Sequence, residues 1–150
     1  MKKIQITTLL VTLSLLAFSL TFGFNPDDND KLFTTLSGAA EVPGPGDADG
    51  TGTADITLHH DSREVCFDLK ISNIGSATMA HIHKAAAGKA GDVVVTLTPL
   101  PNNKESHGCV KNVDKDLIKN MKDNPADFYV NVHTAEFPDG AIRGQLSQKK

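Results

Sequence analysis

The chain has 150 residues, with 15 Lys and Arg against 18 Asp and Glu, a formal net charge of −3, one tyrosine and no tryptophan. Its basic residues are scattered apart from the final Lys149 and Lys150, which argues against nucleic acid or anionic lipid as a partner. The length supports one domain with a single core, and no GxSxG, HExxH, GxGxxG or phosphate-loop motif points to hydrolase or nucleotide chemistry.

Residues 1–23 read as a secretory signal. Lys2 and Lys3 form a basic start, "LLVTLSLLAFSL" is an apolar run of signal-peptide length, and the small residues Ala17, Ser19 and Gly23 prepare a cleavage site. The run is short and rich in Thr and Ser for a membrane span, and no cysteine follows it to take a lipid anchor. Cleavage between Ser19 and Phe24 would leave roughly 125 to 130 residues, enough for one core. The remainder carries 13 basic and 18 acidic groups. Residues 24–31 then form a linker, 32–147 the domain and 148–150 a solvated tail.

Strands are predicted at residues 32–37, 54–60, 64–72, 79–83, 93–97, 128–134 and 141–146. The Gly/Pro/Asp stretch "EVPGPGDADGTG" cannot hold a ladder and reads as a long loop after the first strand. "ADITLHH" puts Ala54, Ile56 and Leu58 on one face, and "EVCFDLKIS" does the same with Val65, Phe67, Leu69 and Ile71. "HDSR" between them reads as a hairpin tip. One segment breaks the alternation: "VDKDLIKNMKDNP" has Leu117, Ile118 and Met121 at helical spacing, Asp114 as N-cap and Pro125 past its end. Such a pattern predicts an all-β fold, a Greek-key β-sandwich of about 7–8 strands with one short helix. The only two cysteines, Cys66 and Cys109, predict a disulfide in an exported chain.

The candidate chemistry lies in three of six histidines. In "TMAHIHK" strand parity puts Met79, His81 and His83 on one face and Ala80 and Ile82 on the other. In "FYVNVHT" it sends Phe128, Val130 and Val132 to the core and leaves Tyr129, Asn131 and His133 outside. All three histidines are thus expected off the hydrophobic core, on the solvent side. Side chains two apart on a strand have Cβ atoms roughly 6.5 to 7 Å apart, so His81 and His83 can converge on one ion at about 2.0 Å. His133 completes a three-nitrogen site if its strand lies beside theirs. Neutral imidazoles suit Zn, Cu, Fe and Ni, the affinity order sets Cu(II) above Zn(II), and the Met79 thioether would tilt the choice towards copper. Solvation or hydrogen bonding is the ordinary fate of exposed strand histidines, and that reading stays open. His59 and His60 sit at the hairpin tip, and His107 falls in the loop "NNKESHG". Arg143 in "GAIRGQL" faces away from Ile142 and Leu146 and reads as a surface cation or salt-bridge partner.

Three blocks, "LSGAAEVPGPG", "AHIHKAAAGKAGDVVVTL" and "YVNVHTAEFPDGAIRGQL", strongly resemble the signature blocks of the CHRD domain, a module named after chordin and common in secreted bacterial proteins. The likeness runs from about Leu32 to Leu146. Gly44 stands where that family usually has a second proline, which implies a looser loop. The resemblance implies a secreted or periplasmic binding module with an extracytoplasmic protein partner; chordin's growth-factor binding does not carry over to a single short domain. A second likeness is to copper/zinc superoxide dismutase, an eight-stranded Greek-key sandwich that holds copper with an HxH strand and a later strand histidine. His81, His83 and His133 match that order, and Arg143 is similar to the arginine that guides the anion there. The chain lacks the bridging histidine, the zinc cluster and the long electrostatic loop, so this likeness implies copper ligation more than dismutation. The leading expectation is a CHRD binding module with copper, or zinc, at the three histidines. The competing ones are an interaction domain whose histidines only order loops, and a copper redox enzyme acting on superoxide or peroxide.

Overall fold

A computed structural model describes residues 30–98, 100 and 104–149. The expected signal segment and most of the linker lie outside the described residues. Within them run β1 (Lys31–Ser37), β2 (Thr51–His59), β3 (Glu64–Ser72), β4 (Ala77–Lys84), β5 (Asp92–Thr96), β6 (Glu105–Val110), α1 (Lys115–Asp123), β7 (Phe128–Thr134), β8 (Ile142–Gln145) and β9 (Ser147–Gln148). All strands join one antiparallel sheet in the order β5-β4-β7-β8-β1-β2-β3-β6, with β9 on β1. The expected all-β sandwich with one short helix is present, and a single continuous sheet curled on itself makes it. Leu97 beyond β5, Ile82, Val130, Ile142, Leu32, Ile56 and Phe67 therefore share one core.

Local sequence explains most of these elements. In the β2–β3 hairpin Ile56 faces Phe67 and Ala54 faces Leu69, all four buried, as the alternation requires. Its tip is the turn at residues 60–63. The Asp114 carboxylate caps α1 by accepting from the backbone N–H of Asp116 at 2.8 Å and of Leu117 at 3.1 Å. Ile118 and Met121 on its inner face are buried in the core, each contributing roughly 1.5 to 3 kcal/mol of apolar transfer.

Two regions differ from the sequence expectation. "ESHGCV" is strand β6 rather than loop, and His107 is an exposed strand residue opposite Asp68. No apolar alternation marks it, because this edge strand is held by its ladder to β3 and by the predicted Cys66–Cys109 disulfide, which joins directly opposed residues. The chain end also keeps pairing where a tail was expected. Gln148 lies opposite Leu32, the Lys149 N–H donates to Lys31 O at 3.0 Å, and the Lys149 ammonium pairs with Asp55. Lys150 lies outside the described residues.

The disulfide closes a loop of 43 residues, which in the chain-entropy account stabilises the fold by roughly 4 kcal/mol. The double variant Cys66→Ala/Cys109→Ala should keep its β circular dichroism and lose about that much in urea unfolding; an unchanged midpoint would show that the ladder alone holds β6.

Candidate metal centre

The register of β4 on β7 builds the site. Ala80 faces Val132 and Ile82 faces Val130, all in the core. The same ladder sets Met79 opposite His133, His81 opposite Asn131 and His83 opposite Tyr129 on the other face. The three imidazoles meet there, with ring centroids 5.4 Å apart for His81 and His83, 5.2 Å for His81 and His133, and 6.3 Å for His83 and His133. One nitrogen from each ring lies within 4.8 Å of the other two. Among the described residues this triad is the one group of three or more His, Cys, Asp or Glu so disposed. His59 and His60 stay exposed at the hairpin tip, away from it.

The expectation that this face is open to solvent holds at Met79 and in part at His81 and His83, which are half-buried, but fails over the middle of the sheet. Tyr129 and Asn131 are buried, His133 is only 7% exposed and Arg143 2%. Parity names the face of a strand but not what covers it, and here the chain after β1, the β4–β5 loop and the β7–β8 turn close over the middle of the sheet. Arg143 is accordingly a buried cation rather than a surface one. Its Cζ lies 3.4 Å from the Tyr129 ring centroid, and its Nη2 donates to Ala86 O at 3.3 Å. Met79 is 44% exposed at the rim.

Backbone carbonyls fix the rings. His83 Nδ1 donates to Gly91 O at 2.9 Å, and His133 Nδ1 donates to Pro138 O at 2.9 Å. A carbonyl only accepts, so both protons sit on Nδ1 and each neutral ring keeps a lone pair on Nε2. His133 Nε2 then accepts from His81 Nδ1 at 3.3 Å, while His83 Nε2 is buried without a hydrogen-bond partner. Gly91 orients a second ring as well: its N–H donates to Tyr129 Oη at 3.2 Å, and Tyr129 stacks on His83 at 4.8 Å and 6°. A Cβ at Gly91 would lie 2.1 Å from Lys84 O, so no other residue fits there.

Glu41, which the sequence reading passed over, is buried on the same polar layer. Its two carboxylate oxygens accept from Asn131 Nδ2 at 3.0 and 2.8 Å. Gly140, at φ +143°, permits this approach, since its Cβ would fall 2.4 Å from Glu41 Oε2. Burial pushes the Glu41 carboxyl up to about 7, against the opposing pull of the Asn131 hydrogen bond and the Arg143 charge. Burial, reinforced by the neighbouring His133 and His83, lowers His81 to about 4. His83 is lowered too, by burial first, with the Gly91 hydrogen bond opposing. Glu41 lies in the block "LSGAAEVPGPG", whose resemblance to the CHRD domain is the sequence signal that reaches it.

The donor set fits an ion. Two Nε2 lone pairs and His81 Nδ1 converge, and one of the three is an orphaned buried acceptor. Nitrogens bound to one tetrahedral metal at about 2.0–2.1 Å stand roughly 3.4 Å apart, so a pair at the 4.8 Å limit would have to close by about 1.4 Å, shared between two rings.

Fold and site together define an all-β domain with a histidine cluster roofed by loops. A family model for the CHRD domain matches residues 32–146, and the chain belongs to the CHRD-domain family. The matched span contains the three histidines, Glu41, Tyr129, Asn131 and Arg143. No curated protein and no solved structure matches the chain, so the likeness to superoxide dismutase rests on the order of the histidines and on Arg143.

Two pH responses follow. The folded His81 pKa is depressed, so the neutral ring's contribution to stability is present above about 6.5 and is lost as pH falls through about 4. In the metal-free protein, ¹H–¹⁵N spectra should show His81 still neutral at about pH 5.5; protonation at the ordinary histidine pKa would contradict the buried cluster. The folded Glu41 pKa is raised, so its contribution is full below about 4.5 and lost as pH rises through about 7. Glu41→Gln should therefore stabilise the protein at about pH 8, by no more than about 3 kcal/mol less solvent screening, and leave it nearly unchanged at about pH 4.

Proposed function

We propose that the protein is a secreted or periplasmic binding module that holds copper, with zinc as the alternative ion, at His81, His83 and His133. The observation that carries this reading is the convergence of three ring nitrogens within 4.8 Å, two of them on rings whose Nδ1–H is already committed to a backbone carbonyl. Imidazole ligands with a thioether nearby favour copper over zinc, and Met79 stands opposite His133 at the exposed rim. The low His81 pKa supports the same reading, because a neutral ring needs no deprotonation at neutral pH. Bound copper would tie the two strands and, through Gly91 and Pro138, the two covering loops to one centre. Export is supported by the basic and apolar start of the chain and by a disulfide, which persists in oxidising compartments.

A second reading, an interaction domain without metal, is favoured by one observation. The His81–His133 hydrogen bond and the two carbonyl contacts order the loops with no ion involved. Titrating untagged protein with Cu(II) separates the two. The metal reading expects one equivalent to give a d–d absorption band and a thermal shift. His83→Gln should weaken copper affinity on the order of 100-fold or more while leaving the metal-free melting temperature near that of the parent. Neither band nor shift in the parent protein would sink the metal reading and leave the interaction domain standing.

A further inference from the structure

We propose that the cavity between the Glu41 segment and the β4–β5 loop binds a small aliphatic carboxylate, with the buried Arg143 guanidinium as its receptor. The cavity has a volume of about 290 Å³ and lies on the Arg143 flank of Tyr129, whereas His83 stacks on that ring from β4. The inference is therefore independent of whether the histidines hold a metal.

The hydrogen-bond inventory of Arg143 is incomplete. Nη2 reaches Ala86 O and the cation rests on Tyr129, but Nη1 is buried without a partner, and no ion pair to Arg143 is found among the described residues. A buried guanidinium is costly unless an anion or several acceptors meet it. Glu41 lines the same cavity but spends both oxygens on Asn131. A ligand carboxylate matches the planar fork in shape and charge. A dianion such as phosphate fits less well, because the Glu41 carboxyl in the same lining repels two negative charges more than one.

The remaining walls set the size and polarity of the body. Ala39, Ala40, Val42, Ala87 and Gly88 offer only small apolar surface, and the Gln145 amide in the same lining already donates to Ala85 O and Ala126 O. The volume lies at the low end for small-molecule sites, which suits an acid with a short alkyl chain rather than a peptide.

The chain carries one tyrosine and no tryptophan, so tyrosine emission reports on Tyr129, the ring beneath the guanidinium. Metal-free full chain would be titrated with butyrate at constant ionic strength, with n-butanol and sodium chloride as controls. The expected result is a saturable change with butyrate alone. Ala87→Leu, at an exposed wall position that leaves Arg143 in place, should raise the midpoint at least tenfold with unchanged circular dichroism. No saturable response, an equal response to butanol, or the parent midpoint in Ala87→Leu would overturn the proposal.

Discussion

The pairing of β4 with β7 is the constraint on which the rest depends. The core side of that ladder, Ala80 against Val132 and Ile82 against Val130, is apolar and fully enclosed. A slip of one residue would exchange the two faces, driving histidines into the core and aliphatic side chains out of it. Hydrophobic packing on one side therefore sets which face of the strands carries the imidazoles. A local irregularity refines the result: the register of β4 against β5 shifts between Ile82 and His83, a feature that re-aims a side chain.

β7 is buried along its whole length, yet only its even-numbered positions touch the core. The opposite face is a polar layer under loops, and its members satisfy one another in linked groups. Asn131 holds Glu41; Tyr129 lies between His83 and Arg143, which come from the strands on either side; Arg143 holds Ala86 and Gln145 holds Ala85, fastening the β4–β5 loop. The loop in turn supplies Gly91 to both His83 and Tyr129. Ring orientation at the centre is thus a property of the loops as much as of the strands. In a low-dielectric layer of this kind partnered groups are held rigidly, and the atoms of the layer left unpartnered, His83 Nε2, Asn131 Oδ1 and Arg143 Nη1, are where a ligand has most to gain.

Sequence made the inner face legible and the outer face only partly so. Alternation identified β2 and β3, the capping aspartate and following proline identified α1, and parity placed Tyr129, Asn131 and His133 together on one side of β7. Parity could not reveal that this side is roofed, because the roof comes from segments far away in the chain: Glu41 lies 90 positions from Asn131, and Ala86 57 from Arg143. Local pattern carries no information at that separation. β6 escaped for a different reason. Its stability is borrowed from β3 and the disulfide, so its own residues need no apolar rhythm. The family blocks did mark the right regions, since all three converge on this polar layer.

The proton arrangement in the cluster bears on what an ion would meet. With Nδ1–H of His83 and His133 bound to carbonyls, the one mobile proton among the three rings is that on His81 Nδ1, which bridges to His133 Nε2. A proton and a metal ion compete for the same pair of nitrogens there, and the ion needs only a tautomer change at His81, not a rearrangement of backbone. Because the depressed His81 pKa already disfavours a second proton on that ring, acid competes weakly at that ligand. The arrangement therefore keeps the lone pairs poised while the loops stay ordered, which is the property that separates a pre-organised centre from three histidines that happen to share a face.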